Sequence, residues 1–429
     1  MPMLKEKKFN LAKKFEKEYY PCTKEWWCAE GFFKTIENNK NFCFKSTIFQ
    51  GIGRDKTLWT SYSISIFDLD NNKIYKYSSL KDKNKLDTEK EFFNIKYEKS
   101  YITGSYPNYK MYFFDLDNNI NLNLKFHSNS LPYWVAQKIT NGSLPWNLGY
   151  FEYGFIPKNK ILGYIKINNN KFTLEGKGYF EHIWGNFSYI SIFSSKVSLK
   201  KTISTYLKLI LNWLRNQDLK IPNSITFSTN NRPPGYDWIW AVLDNEWSIF
   251  FGNMMFWIMD GIGTGILIFS KDGKNYTEFS NIQFKYKKMK YLKKYDFYYP
   301  IELQIIAKKE NETLFLNIKN LSESSEDITE ATIEKNLLGF LISEVPCKIS
   351  GYYNDCKKKI ILKGFSKIES HRLLKPIGYN SLKINFEKTK NKLGLLSSFD
   401  SHYFRKKIDI KFDIYPKFKF KINFKRIVK

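Results

Sequence analysis

Ten residues, Gly176-Lys177-Gly178-Tyr179-Phe180-Glu181-His182-Ile183-Trp184-Gly185, bring a carboxylate, an imidazole and an indole together in a chain that has only four histidines. On an extended strand Glu181 and His182 point to opposite faces, whereas Phe180, His182 and Trp184 share one. An imidazole among aromatics in a cavity can act as a general acid, and an indole face can hold a nearby cation. Those are the requirements for adding a proton, and then water, to an isolated alkene. A buried carboxyl kept protonated by a raised pKa would help such a step as proton donor, and Asp237 and Glu25 are the candidates. The expected catalytic set is His182, Trp184, Asp237 and Tyr236, with Trp26, Trp134, Trp146, Phe180 and Trp238 contacting the ligand. The competing expectation is that His182 and Trp184 are packed residues closing a barrel, and that Glu25, Trp26 and Trp27 are structural. His127, His371 and His402 are isolated, and no metal-ligand spacing, phosphate loop or nucleophile elbow is found, so neither metal nor cofactor is expected.

The elements that must position these residues are mostly strands. From Glu25 onward short apolar runs alternate with turn residues, as in an antiparallel meander. Asp68-Leu69-Asp70-Asn71-Asn72 and Asp115-Leu116-Asp117-Asn118-Asn119 lack the glycine and distal glutamate of a calcium loop and are expected to be hairpin turns. Leu131 to Phe155, rich in proline and tryptophan, is expected to be an irregular loop lining or covering a cavity. Lys200 to Arg215 carries apolar residues at helical spacing and a basic polar side, which suits a helix packed on a barrel or lying at a membrane interface. Ile221 to Gly235, with three prolines, is expected to be a linker.

The second half repeats the first. Gly163 to Glu181 aligns without a gap on Gly351 to Glu369, an offset of 188, with Gly163-Tyr164, Lys171, Leu174, Gly176 and Glu181 all matched. Glu25-Trp26-Trp27 and Asp237-Trp238-Ile239-Trp240 are expected to open the two copies. Ser370 and Arg372 stand where the first copy has His182 and Trp184, so one active and one supporting half are expected.

At 429 residues, 43% hydrophobic and 18% aromatic, the chain can build two cores and is not disordered. Its net charge of +27 suits polyanions, but only six of the 69 basic residues are arginine, and lysines alternate with apolar residues along strands as on a solvated face. Specific nucleic-acid binding is therefore not expected, whereas peripheral contact with an anionic membrane is compatible with this charge. Five cysteines without a Cys-x-x-Cys pair, and a charged N-terminus without an apolar run, lead to the expectation of a cytoplasmic protein with free thiols, in which peripheral membrane contact is left open. The apolar window Ile249 to Phe269 is interrupted by Asp260 and glycines, which fits buried strands better than a span.

The pieces Glu25-Trp26-Trp27, Gly176 to Gly185 and Tyr236 to Trp240, together with the Gly351 to Glu369 unit, resemble a family of paired lipocalin-like β-barrel proteins. That family includes carotenoid 1,2-hydratases (hydroxyneurosporene synthases), kievitone hydratase and fungal Diels-Alderases. The resemblance covers about residues 24 to 375. It departs from the family pattern in three places: Glu181 stands where the acid is usually Asp, a helical segment lies between Trp184 and Tyr236, and Tyr236 and Asp237 are adjacent where the hydratases have Tyr-x-Asp. The resemblance implies a mostly β protein of two tandem lipocalin-like antiparallel barrels with one inserted amphipathic helix. The expected division is a basic arm over 1–23, a first barrel over 24–195, helix and linker over 196–234, and a second barrel over 235–429. The function it implies is a cofactor-independent enzyme that hydrates, isomerises or cyclises an apolar, isoprenoid-like substrate in a barrel cavity. The alternative is a non-catalytic lipid or isoprenoid carrier. Oligomeric state is left open.

Overall fold

Strands dominate because the sequence alternates, and their order is that of a duplicated unit. The computed structural model describes residues 10–53, 56–89, 92–146, 148–187, 199–216, 224–228, 235–255, 266–279, 281–295, 297–321, 327–331, 340–355, 357–373, 380–389, 392–401, 406–415 and 419–428. His402, Cys356, Asp260 and most of the expected linker lie outside these residues.

In the first half the strands Lys73–Asp82, Leu58–Asp68, Asn41–Ile52 and Lys24–Thr35 run as an antiparallel meander. The chain then crosses so that Asn170–Asn186 lies beside Lys24–Thr35, followed by Gly149–Ile167, Ile120–Ser128, Asn108–Asp115 and the shorter strands back to Asp87–Thr88. The second half repeats this order: Ile266–Ser270, Ser248–Met255, Gly235–Leu243, Lys359–Leu373, Phe340–Asn354, Glu312–Asn320, Phe297–Lys309 and Asn281–Leu292. Each sheet curls into a barrel-like half with its own apolar core, one around Phe44, Ile64, Leu122 and Phe126, the other around Phe251, Leu303, Leu316 and Ile368. Strands after residue 379 stand apart from the ten-stranded sheet. With Ser224–Ser228 they form a separate five-stranded sheet, so the linker range contributes a strand as well as a helix.

Both Asp-rich repeats are turns: the backbone N–H groups of Asn71 and Asn118 each donate to the preceding Asp68 or Asp115 carboxylate at 3.0 Å. Asn72 and Asn119, with φ of 53° and 49°, take the left-handed position. Leu131 to Phe155 is more ordered than its prolines suggest. Tyr133–Trp134 and Ser143–Trp146 pair with the Gly149–Ile167 strand, and a single helical turn, Gln137–Thr140, connects them. Pro145 fits because Ser143–Trp146 is an edge strand. The expected amphipathic helix spans Leu199–Asn216.

The strand Lys24–Thr35 departs from simple alternation, since nearly every residue in it is buried. One face (Trp27, Ala29, Phe33) enters the first core. The other (Trp26 and Phe32) packs in a third cluster that joins the two halves. A strand covered on both sides reads as a continuous apolar run.

Sheet register fixes which residues of the two copies are equivalent. Glu181 pairs with Cys28, and Glu369 with Trp238, so Cys28 corresponds to Trp238 and Trp27 to Asp237. The tryptophan-rich openings are thus equivalent two residues out of the alignment expected from composition, which matched Glu25 with Asp237.

Candidate functional site

Strand alternation sends Glu181 and His182 to different places. His182 enters the first barrel, where it is fully buried and stacked on Trp27 with ring centroids 4.7 Å apart. Its Nδ1 donates to the Phe15 carbonyl at 2.6 Å, and its Nε2 lies 3.0 Å from Glu25 Oε1. Glu25 is also held by the Tyr19 backbone N–H at 2.7 Å and the Gln50 amide at 2.8 Å. Trp184 lies under Tyr19, with stacked rings 3.7 Å apart. Phe15, which belongs to a helical turn over residues 10–16, fills the space between Trp134, Phe180 and His182. The polar atoms of His182 and Glu25 therefore serve to fasten the N-terminal segment across the barrel.

The other expected residues are dispersed. Asp237 lies inside the second barrel, where its carboxylate takes Arg372 at 2.8 Å, Ser370 at 2.6 Å and the Tyr286 hydroxyl. Trp134 and Phe180 belong to the first core. Trp26, Trp146, Tyr236 and Trp238 lie between the halves. His182 and Trp184 are together, as expected, but neither Asp237 nor Tyr236 joins them.

A different cluster gathers where the halves meet. Glu181 Oε2 accepts a hydrogen bond from the Tyr153 hydroxyl. The Tyr153 oxygen in turn accepts from the Trp238 indole N–H and faces the Tyr179 hydroxyl at 2.7 Å. With Tyr153's proton committed to Glu181, Tyr179 donates, and the chain of donors runs Tyr179 to Tyr153 to Glu181. Beside this chain Lys45 contacts Glu344 and, at 2.5 Å, Glu369; Lys367 lies 2.7 Å from Glu30; and Trp240 donates its indole N–H to Glu30. The Tyr236 hydroxyl donates to Glu369 at 2.8 Å.

Two lysines thus already serve three carboxylates, and a fourth negative charge on Glu181 would be uncompensated. Burial pushes the Glu181 carboxyl up to about 7, and the charge of Glu30 adds to the effect. Its repeat partner Glu369 is pushed up by burial as well, but Lys45 and Lys367 overcome this and hold it well below the usual carboxylate range. Burial raises the Tyr153 and Tyr179 hydroxyls, which stay protonated donors. Burial lowers His371 to about 3, so that ring, stacked on Tyr236 at 4.8 Å, stays neutral.

Although surrounded by protein, these groups are not sealed. Glu181 keeps 8% of its surface, the Glu369 and Lys45 side chains keep 14% and 18%, and Trp26, Tyr236 and Trp238 are only half-buried. Together they border the aromatic cluster that joins the halves, in which Trp238 stacks on Tyr153 and Phe250 on Phe155. Sequence reasoning chose the odd-looking His182 over its neighbour; the recurrence of Glu181 as Glu369 was the signal that pointed to the shared interface.

Fold and interface define a mostly β protein of two lipocalin-like halves with a carboxyl and aromatic cluster between them. The solved structures it resembles have the same architecture. One is a Nitrosomonas europaea protein provisionally assigned as AttH, at 13% identity and a TM-score of 0.56, covering 82% of this chain and 93% of that one. Another is kievitone hydratase from Nectria haematococca, at 12% identity and a TM-score of 0.55, covering 84% of this chain and 91% of that one. At such identities the likeness is one of fold. No family model and no curated protein matches the sequence.

Proposed function

We propose that the chain is a cofactor-independent acid–base enzyme for an apolar, isoprenoid-like alkene, and that its chemistry lies where the two halves meet. Glu181 carries this reading: a carboxyl held near 7, tied to a tyrosine relay and set among aromatic side chains. Such a carboxyl is substantially protonated at neutral pH and can give its proton to an alkene carbon. The half-buried Trp238, whose indole N–H donates to Tyr153, offers a π face to the resulting cation. In a hydration, water adds to that cation and returns a proton to Glu181, so atoms and charge balance without a further reactant. Loss of a proton from a neighbouring carbon to the Glu181 carboxylate gives isomerisation, and attack by a second alkene of the same molecule, followed by the same proton loss to Glu181, gives cyclisation. His182 and Trp184 act in this scheme as positioning residues that hold the N-terminal segment.

The test is incubation with a panel of isoprenoid alkenes in ¹⁸O-labelled or deuterated water, followed by mass spectrometry. Wild-type protein should incorporate label, Glu181→Gln should lose at least about a hundredfold of that rate, and His182→Gln should stay much closer to wild type. Equal activity of Glu181→Gln and wild type would remove Glu181 from the mechanism. Unchanged alkene recovered bound to wild-type protein, with no label, would replace the enzyme by a carrier.

A further inference from the structure

The helix Leu199–Asn216 faces outward with the wrong side for a soluble protein. It is anchored through Thr202, whose hydroxyl donates to the Leu148 carbonyl at 3.2 Å, through buried Thr205, and through Lys201, 3.3 Å from Glu152. Its exposed side carries Leu199, Ile203, Leu207 and Leu211, which are 48%, 53%, 54% and 50% exposed. Set four residues apart, they form one apolar row about 18 Å long at 1.5 Å per residue. Beside that row Lys200, Lys208 and Arg215 are exposed, and the helix contains no acidic residue. Lys138, on the helical turn packed against this helix, is exposed as well.

We propose that this helix docks the protein on an anionic lipid surface, lying in the plane of the interface with its leucine row among the acyl chains and its cations at the headgroups. A bilayer surface offers an apolar layer and negative charge at adjacent depths, which is the order this face demands. A second copy of the chain fits poorly, because joining two such faces sets their lysines and arginines against one another with no carboxylate on either helix. Among the described residues no helix is long and apolar enough to cross a membrane, so the contact is peripheral. The inference stands whether or not Glu181 donates a proton.

Co-sedimentation of the full chain with phosphatidylcholine vesicles, with and without phosphatidylserine, tests it. Wild-type protein should bind the phosphatidylserine vesicles and release them as salt is raised. Each surface cation contributes about fivefold, so Lys200→Gln/Lys208→Gln/Arg215→Gln should bind about a hundredfold more weakly. Ile203→Ser/Leu207→Ser/Leu211→Ser, at exposed positions that leave the fold intact by circular dichroism, should lose binding. The proposal is overturned if wild-type protein stays in the supernatant, or if the serine variant binds as well as wild type, which would mean adsorption of a polycation. It is equally overturned if wild-type protein is dimeric without vesicles and the serine variant is monomeric, which would make the occupant a second copy.

Discussion

Replacing Glu181 by glutamine should make stability less sensitive to pH, and the size of the change follows from its surroundings. The carboxyl moves from an ordinary 4.5 to about 7 on folding, because burial and the charge of Glu30 penalise its ionised form. Below pH 4.5 it is protonated in both folded and unfolded chains and has no effect on the balance between them. Between 4.5 and 7 the unfolded chain releases the proton while the folded chain keeps it, so stability falls as pH rises through this window. Above 7 both forms are ionised and the full penalty applies. At 1.36 kcal/mol per pH unit the penalty is about 3 kcal/mol. Glutamine keeps the shape and the hydrogen bond from Tyr153 but cannot ionise. Urea unfolding followed by tryptophan fluorescence, run on both proteins from about pH 4 to pH 8, should therefore show the glutamine variant gaining about 3 kcal/mol on wild type across that range. Titrations of groups remote from Glu181 cancel in the difference. A difference that stays flat, or that moves in favour of wild type as pH rises, would refute the account of Glu181 and with it the proposed proton donor.

Other perturbations have equally definite outcomes. Lys367→Met strands Glu30 in the interface and should cost about 3–5 kcal/mol, read from urea midpoints; adding Glu30→Gln should restore much of it. Phe15→Ala empties the space between Trp134, Phe180 and His182 and should cost about 3 kcal/mol, with limited proteolysis cutting first near residues 10–20. Gly178→Ala places a methyl 2.7 Å from Ile161 Cδ1 and 2.8 Å from Phe126 Cε1, so a lowered unfolding temperature is expected, from about 1–3 kcal/mol of overpacking.

Alternation and turn chemistry made the strands, the Asp-Asn hairpins and the amphipathic helix legible in the sequence, since each depends on neighbours a few residues apart. The gapless match of Gly163–Glu181 to Gly351–Glu369 likewise anticipated the shared strand order, because equivalent pairs such as Gly163 with Leu174 and Gly351 with Leu362 recur in the sheets. The site was harder. Alternation told that Glu181 and His182 part company, but which face meets the other half depends on contacts more than a hundred residues away, as in Lys45 with Glu344. Nor does anything local reveal that Phe15, from an unremarkable basic arm, occupies the space beside His182. The two-residue offset of the tryptophan-rich openings was hidden for the same reason: similar composition at a strand start does not determine register.

Register also shows how the halves are joined. Lys45 corresponds to Phe250 and Glu344 to Phe155, while Glu30 corresponds to Trp240 and Lys367 to Tyr179. The ionic contact of Lys45 with Glu344 therefore has as its counterpart the stacked pair Phe250 and Phe155, and the pair Glu30 and Lys367 is mirrored by Trp240 on Tyr179. A homodimer with twofold symmetry must write the same pair at both places. A chain that carries both copies covalently is released from that rule: it can make one side of the seam charged and the other oily, and give two glutamates of common position opposite tendencies to hold a proton. Duplication here supplied the means of breaking symmetry, and the Glu181 cluster lies where the symmetry is broken.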